Sequence, residues 1–134
     1  LTDERKPTMS NKVLDSSAIL AVIFEEPGSE VVAPLLKDGL VSSVNFAEVT
    51  TKLAEKKILT RDSVEDLKNL GFDVIDFDVE QAAKVGELRP LTKHLGLSLG
   101  DRCCLALAIL RGTTAVTADK DWKKLKFCKV EVMR

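Results

Sequence analysis

The sequence predicts an α/β domain in which a parallel sheet is covered by helices on both faces. Short apolar segments typical of strands alternate with longer helical segments, and parallel neighbours require such long, right-handed crossovers. The chain has 134 residues, which suits a single domain with a substantial buried core. Its 45% apolar and 31% charged residues are typical of globular proteins and argue against a disordered or fibrous chain.

Five short segments have the composition and length of strands. In chain order they are KVLD at 12–15, LVSS at 40–43, FDVIDF at 72–77, TTAVTA at 113–118 and KVEVM at 129–133. The third alternates apolar and acidic residues, which is the period of a strand buried on one face. The others are apolar segments of four to six residues, which is a usual strand length.

The segments between these strands are predicted to be helical. In chain order they cover 16–24, a stretch to Leu36 after the Pro27-Gly28 break, about 44–57, 61–70, 79–94, 102–111 and a short turn at 120–125. The helix at 61–70 is expected to be capped by Thr60, and Pro90 is expected to interrupt the helix at 79–94. The helix at 102–111, CCLALAIL at its centre, is apolar all round and therefore predicted to be buried.

Overall composition limits the compartment and the class of partner. The longest apolar runs fall far short of the ~20 residues that a membrane span needs, and no signal peptide is evident, so the cytoplasm is the expected location. The three cysteines lie mostly in apolar surroundings and are expected to be reduced. A net charge of −1 does not itself indicate a nucleic-acid partner. Residues 1–8 are expected to be a tag or a disordered extension, leaving 9–134 as the domain.

Four acidic residues, here called the four acids, are predicted to meet at one edge of the sheet. Asp15 ends the first strand, Glu48 lies about one turn into the next long helix, Asp101 opens the apolar helix, and Asp119 follows the fourth strand. The carboxyl ends of parallel strands form the ligand crevice of such sheets. Because neighbouring carboxylates cannot all stay ionised alone, the cluster indicates a divalent cation. Oxygen ligands without a paired His or Cys motif favour Mg²⁺ or Mn²⁺.

Each of these acids also has a purely structural interpretation. The alternatives are a helix N-cap for Asp15, an ion pair with Lys52 for Glu48, a capping box with Ser98 for Asp101 and a turn position for Asp119. Taken singly, each alternative explains its residue well. The predicted position of all four acids at one edge of the sheet favours a common site.

At these residues the chain resembles the PIN-domain family, and most closely the VapC-type ribonuclease toxins of toxin–antitoxin modules. The resemblance covers about residues 12–132. It is carried by VLDSSAIL around Asp15, SSVNFAEV around Glu48, LGLSLGDRCCLALA around Asp101 and AVTADKDW around Asp119. The last two motifs are the more specific, because they occur together in these toxins.

The resemblance implies a fold, a reaction and partners. The fold would be a PIN-like three-layer α/β/α domain with a five-stranded parallel sheet, forming a homodimer that a VapB-like antitoxin neutralises. The activity would be that of an endoribonuclease dependent on Mg²⁺ or Mn²⁺, which hydrolyses RNA phosphodiesters to a 3′-hydroxyl and a 5′-phosphate. The implied catalytic and metal-binding residues are Asp15, Glu48, Asp101 and Asp119, with Asp121 as a further outer acid. The implied supporting residues are Ser16, Asn45 and Thr117.

RNA binding requires basic residues, because neutralisation of phosphates dominates nucleic-acid affinity. The candidates near the acidic edge are Lys52, Arg89, Lys93, Arg102 and Lys120. Each of them can equally be an ordinary solvated surface residue. Since aromatic residues are few and tyrosine is absent, recognition of a folded RNA's shape is favoured over stacking of single-stranded bases.

Other functions compete with the nuclease. A phospho-acceptor receiver with the same acidic edge would carry a pair of acids near the first strand and a lysine at a late strand end. An aspartyl-nucleophile phosphatase would carry a second aspartate two residues after the first, where this chain has Ser17. A non-catalytic PIN-like binding domain would have lost one of the four acids, and none is lost. The sequence therefore favours the metal-dependent nuclease.

Overall fold

A computed structural model describes residues 11–134, and the extension predicted at residues 1–8 lies outside this range. Its five strands form one sheet in the order β3-β2-β1-β4-β5, with every neighbouring pair parallel. The strands are β1 (Val13–Leu14), β2 (Leu40–Ser42), β3 (Asp73–Ile75), β4 (Ala115–Thr117) and β5 (Val130–Val132). This sheet confirms the predicted parallel α/β architecture.

Helices connect all the strands except β4 and β5, which are joined through a short 3₁₀ helix. The α-helices are α1 (Ser16–Ile23), α2 (Ser29–Val32), α3 (Ser43–Glu55), α4 (Ser63–Lys68), α5 (Val79–Thr92) and α6 (Leu99–Arg111). The 3₁₀ helices cover Ala33–Leu35, Lys93–Leu95 and Lys120–Lys124. None of the helices in this described range is long and apolar enough to cross a membrane.

The sheet has a separate hydrophobic core on each face. Because successive strand residues point to opposite faces, Val13 and Leu14 belong to different cores. One core packs the sheet against α5 and the apolar helix α6, and it includes the fully buried Trp122. The other packs the sheet against α1 to α4. Helices on both faces give the three layers predicted for the domain.

Three helices differ from the sequence prediction. Helix α4 covers Ser63–Lys68 with Asp62 at its N-cap position, so the predicted bounds of 61–70 and the predicted Thr60 cap are wrong. Helix α6 begins at Leu99 instead of residue 102, because Ser98 and Asp101 form a reciprocal capping box. Helix α5 continues through Pro90 to Thr92 without the predicted break. Pro90 is exposed, so the carbonyl that it leaves without a partner can face water, while Val85 and Leu88 anchor the buried side of the helix.

The strand order fixes where a ligand can bind. The chain builds β1, β2 and β3 outward in one direction and then returns to place β4 and β5 on the other side of β1. The order therefore reverses between β1 and β4. In open parallel sheets the binding crevice lies outside the carboxyl ends of the strands at this point.

Candidate metal centre

Asp15 follows β1 directly and lies at the reversal point of the sheet. It occupies the N-cap position of α1, but its side chain accepts no capping bond from that helix. Its Oδ2 instead accepts hydrogen bonds from Ser17 Oγ at 2.8 Å and from Thr117 Oγ1 at 3.0 Å. Its Oδ1 is buried and finds no hydrogen-bond partner within residues 11–134. The structural interpretation of Asp15 as a simple helix cap is therefore not supported.

Burial controls the ionisation of Asp15, whose residue surface is only 4% exposed. Loss of water around the carboxyl raises its pKa from 3.8 to about 7. Hydrogen bonds from Ser17 and Thr117 act in the opposite direction, while the charges of Asp101 and Glu48 raise the pKa further. A nearby positive charge would stabilise the ionised form of this carboxyl.

Glu48 lies on α3 and is held by a neighbour one turn earlier. Asn45 Nδ2 donates a hydrogen bond to Glu48 Oε1 at 2.9 Å. The predicted ion pair between Glu48 and Lys52 does not form, because Lys52 Nζ pairs with Glu55 Oε1 at 3.4 Å. The Glu48 carboxylate instead lies against Gly100 on helix α6, next to Asp101.

Asp101 is the third residue of α6 and has both of the roles considered for it in the sequence. Its Oδ2 accepts a hydrogen bond from Ser98 N at 2.9 Å, and its own N–H bonds to Ser98 Oγ at 3.1 Å. Burial raises the pKa of Asp101, as do the charges of Glu48 and Asp119, while the bonds with Ser98 lower it. The capping box therefore holds Asp101 in place beside the other acids.

Asp119 lies on the exposed rim of the crevice, two residues after β4. Its Oδ1 caps the short 3₁₀ helix by accepting from Asp121 N at 2.9 Å, and its own N–H bonds to Thr117 Oγ1 at 3.1 Å. Asp121 is exposed, and its Oδ1 lies 3.2 Å from Lys124 Nζ. Thr117 thus links the backbone of Asp119 to the carboxylate of Asp15.

The structure brings the four acids to one edge of the sheet. Within the described range, no three His, Cys, Asp or Glu side chains form a ready metal cluster. The charges of Asp101 and Glu48 raise the pKa of Asp15, and those of Glu48 and Asp119 raise the pKa of Asp101. The four carboxyl groups are therefore close enough to interact electrostatically.

The residues present fit a divalent cation with oxygen ligands. Asp15 supplies an unpartnered buried oxygen, which is a polar atom that otherwise costs free energy. The neighbouring donors are carboxylate oxygens, and the buried Cys104 thiol has a pKa raised well above 9.0 by burial, so it remains protonated. Such a donor set suits Mg²⁺ or Mn²⁺ better than Zn²⁺.

Of the two hydroxyls that donate to Asp15, that of Thr117 belongs to a predicted supporting residue, whereas that of Ser17 does not. Ser16 had been expected in this role, but it is Ser17 Oγ that donates to Asp15 and accepts from Ala118 N at 3.0 Å. Ser17 thereby joins α1 to the end of β4. The available signal was the turn of helix at Asp15, since a side chain two residues into a helix can fold back over its cap position.

The five basic candidates occupy different environments. Lys52 is exposed and lines a groove between α1 and α3 that Ser17 also lines. Arg89, Lys93 and Lys120 are exposed. Arg102 is half-buried, and its Nη1 donates to the carbonyl of Val85 at 3.1 Å, which ties α6 to α5.

Comparison with protein-family models decides the family of this domain. The model of the PIN domain matches residues 12–127. This chain belongs to the PIN-domain family. The match covers all of the four acids, and the PIN fold predicted from the motifs is confirmed. No curated protein sequence gives a significant match to the chain.

Solved structures show the same PIN fold at low sequence identity. A chain of VapBC2 from Rickettsia felis, bound to a promoter DNA fragment, is 24% identical with a TM-score of 0.71, over 92% of this chain and 98% of that chain. A toxin–antitoxin complex from Klebsiella pneumoniae gives 20% identity and a TM-score of 0.73 over the same shares. FitAcB from Neisseria gonorrhoeae gives 23% and 0.67, over 88% of this chain and 94% of that chain.

Proposed function

We propose that this PIN-domain protein is an endoribonuclease dependent on Mg²⁺ or Mn²⁺ and acts as the toxin of a toxin–antitoxin pair. The observation that carries the proposal is the convergence of Asp15, Glu48, Asp101 and Asp119 where the strand order reverses, with Asp15 Oδ1 buried and unpartnered. RNA cleaved in this way would carry a 3′-hydroxyl and a 5′-phosphate, as the family resemblance implies.

The ligands proposed for the cation are the four acids, with Asp121 further out. A bound Mg²⁺ or Mn²⁺ supplies charge stabilisation to phosphoryl oxygens and makes water more acidic. The chain itself holds the carboxylates in place: Ser17 and Thr117 hold Asp15, Asn45 holds Glu48, and Ser98 holds Asp101. No histidine is needed as a base in this arrangement.

The proposed partners follow from the same comparison. Structural neighbours include toxin–antitoxin complexes, which supports a VapB-like antitoxin as the partner of this chain. We expect a homodimer that acts on cytoplasmic RNA. Co-expression of a cognate antitoxin is expected to relieve the growth arrest that the protein causes alone.

RNA cleavage by the purified, antitoxin-free protein tests the proposed function. With Mg²⁺ or Mn²⁺, the wild type is expected to cleave cellular RNA, whereas Asp15→Asn and Asp101→Asn should lose at least a hundredfold in rate because each removes a charged ligand. Chelation with EDTA should stop cleavage. Absence of cleavage by the wild type, or normal cleavage by both variants, would contradict the proposal and favour the non-catalytic alternative.

A further inference from the structure

A buried amide joins two helices of the site at the point where Glu48 lies. Asn45 on α3 is fully buried, and its Nδ2 donates to Glu48 Oε1 at 2.9 Å and to the Gly100 carbonyl of α6 at 3.0 Å. One amide group therefore fixes a carboxylate on its own helix to the backbone of a second helix. That second contact lies one residue before Asp101.

The position of the Glu48 carboxylate leaves no room for a side chain at Gly100. It is not among the residues with a positive φ, so its backbone conformation does not require glycine. A Cβ at this position would overlap the Glu48 carboxylate, with Cδ at 2.6 Å and Oε1 at 2.8 Å, and all three of its nearest atoms belong to that group. The Glu48 carboxylate occupies the volume that any larger residue would fill.

These contacts enclose the Glu48 carboxylate between an amide donor and a helix backbone. The charges of Asp15 and Asp101 lie close by and would otherwise favour rotation of Glu48 away from the site. The amide supplies an N–H without adding a positive charge, so the carboxylate stays free to bind a cation. A fixed ligand binds more tightly, because less side-chain entropy is lost on binding.

We infer that Asn45 and Gly100 are positioning residues that hold the Glu48 carboxylate in place for a divalent cation. This inference rests on the proposed function, and it adds a requirement that no family match states, namely that position 100 must lack a side chain. It concerns the chain's own residues and can be tested on the purified protein without RNA.

Alanine at position 100 provides the sharpest test. The atoms that it would meet are the mobile end of Glu48, so Gly100→Ala is expected to fold with Glu48 displaced. Gly86→Ala is the matched control, because Gly86 also lies within a helix and a Cβ there meets nothing within 4 Å. Thermal unfolding in EDTA should show both variants at least as stable as the wild type, since alanine favours helix.

The decisive measurement is Mn²⁺ affinity, determined by isothermal titration calorimetry and by the electron paramagnetic resonance signal of free Mn²⁺. Gly100→Ala is expected to bind Mn²⁺ about 10- to 100-fold more weakly than the wild type, as for other residues that orient a metal ligand, and Gly86→Ala should bind normally. Asn45→Ala should also weaken binding, and it carries the test if Gly100→Ala does not fold. In a Glu48→Ala background, neither substitution should cause any further loss.

Several outcomes would overturn the inference. The first is a wild-type Mn²⁺ affinity in both Gly100→Ala and Asn45→Ala. The second is a loss of Mn²⁺ affinity that is as large in the Glu48→Ala background as in the wild-type background. The third is a wild-type protein that does not bind Mn²⁺. A wild type that binds Mn²⁺ with the expected coupling but cleaves no RNA would contradict only the proposed nuclease. The two proposals therefore fail separately.

Discussion

Asp15 is the residue whose ionisation most affects the folded protein. In the metal-free state its pKa is about 7, against 3.8 for an exposed aspartate, because the buried carboxyl favours the protonated form. Folding is therefore linked to proton uptake between these two values. The stability that the protonated group contributes is fully present below about pH 4 and is lost as the pH rises through 7.

Asp15→Asn should therefore stabilise the metal-free protein at alkaline pH. The amide remains neutral at all pH values, so we expect a gain of roughly 2–4 kcal/mol at pH 8 that disappears near pH 4. Urea unfolding in EDTA across this range measures the difference. Asp121→Asn is the control, because Asp121 is exposed and should show no comparable gain. An Asp15→Asn gain that is independent of pH would contradict the assignment.

Ser17 and Ser16 form a matched pair at the same turn of helix. Of these two serines, Ser17 is the one that donates to Asp15, so Ser17→Ala removes a donor to a charged group and Ser16→Ala does not. Residues that orient a metal ligand typically contribute about 10- to 100-fold to metal affinity, so Mn²⁺ affinity should fall about tenfold or more in Ser17→Ala. Titration calorimetry measures it, and an equal loss in Ser16→Ala would disprove the role of Ser17.

At the scale of elements, helix α6 owes its start to the capping box. Ser98→Ala removes the bond that satisfies the Asp101 N–H, so the free energy of unfolding should fall by about 1 kcal/mol. Chemical denaturation measures this loss. Asp62→Ala provides the control, because Asp62 is the N-cap residue of α4 but makes no side-chain capping bond. A similar loss in both variants would show that the box contributes nothing specific.

The sequence predicts whole elements better than it predicts the contacts between them. The five strands were evident from short apolar runs, and the edge that carries the four acids followed from the rule for parallel sheets. The predicted start of α6 is three residues late, although the Ser98–Asp101 capping box that sets its true start is evident in the sequence. The continuation past Pro90 depends on solvent reaching one side of α5.

Contacts between distant segments lay beyond sequence reasoning. The bond from Asn45 to the Gly100 carbonyl joins residues 55 positions apart, and the bond from Thr117 to Asp15 spans 102 positions. Helical spacing predicts that Asn45 lies near Glu48. No local sequence pattern predicts that a side chain at position 100 would overlap the Glu48 carboxylate. Ser17 was missed because its role depends on where β4 ends relative to α1.

On the scale of the molecule, the site exists because two strands end, and two helices pack, at one place. Asp15 and Asp119 come from the two strands on either side of the order reversal, whereas Glu48 and Asp101 come from helices on opposite faces of the sheet. The acids therefore sit at a seam between the two hydrophobic cores. The ligand geometry depends on how both helical layers pack on the sheet.

A groove between α1 and α3 includes Ser17, the residue that donates to Asp15. Lys52, Lys56 and one acidic residue, Glu26, also line it, and Lys56 Nζ lies 5.2 Å from the centre of the Phe24 ring. Two lysines in one groove can neutralise two phosphates of a bound RNA. Under the proposed nuclease function, we expect bound RNA to contact these two lysines.

Charge reversal at Lys52 and Lys56 tests this expectation. In an Asp15→Asn background that prevents cleavage, Lys52→Glu with Lys56→Glu should weaken RNA binding about tenfold and flatten the slope of log affinity against log salt by about 1.4, or ~0.7 for each phosphate that is no longer neutralised. Fluorescence anisotropy across a salt series measures both. The control is Arg111→Glu with Lys129→Glu, which makes the same charge change at exposed positions preceding β4 and β5, at the opposite edge of the sheet. If both double variants lose affinity equally, net charge and not the groove governs binding, and the expectation is wrong.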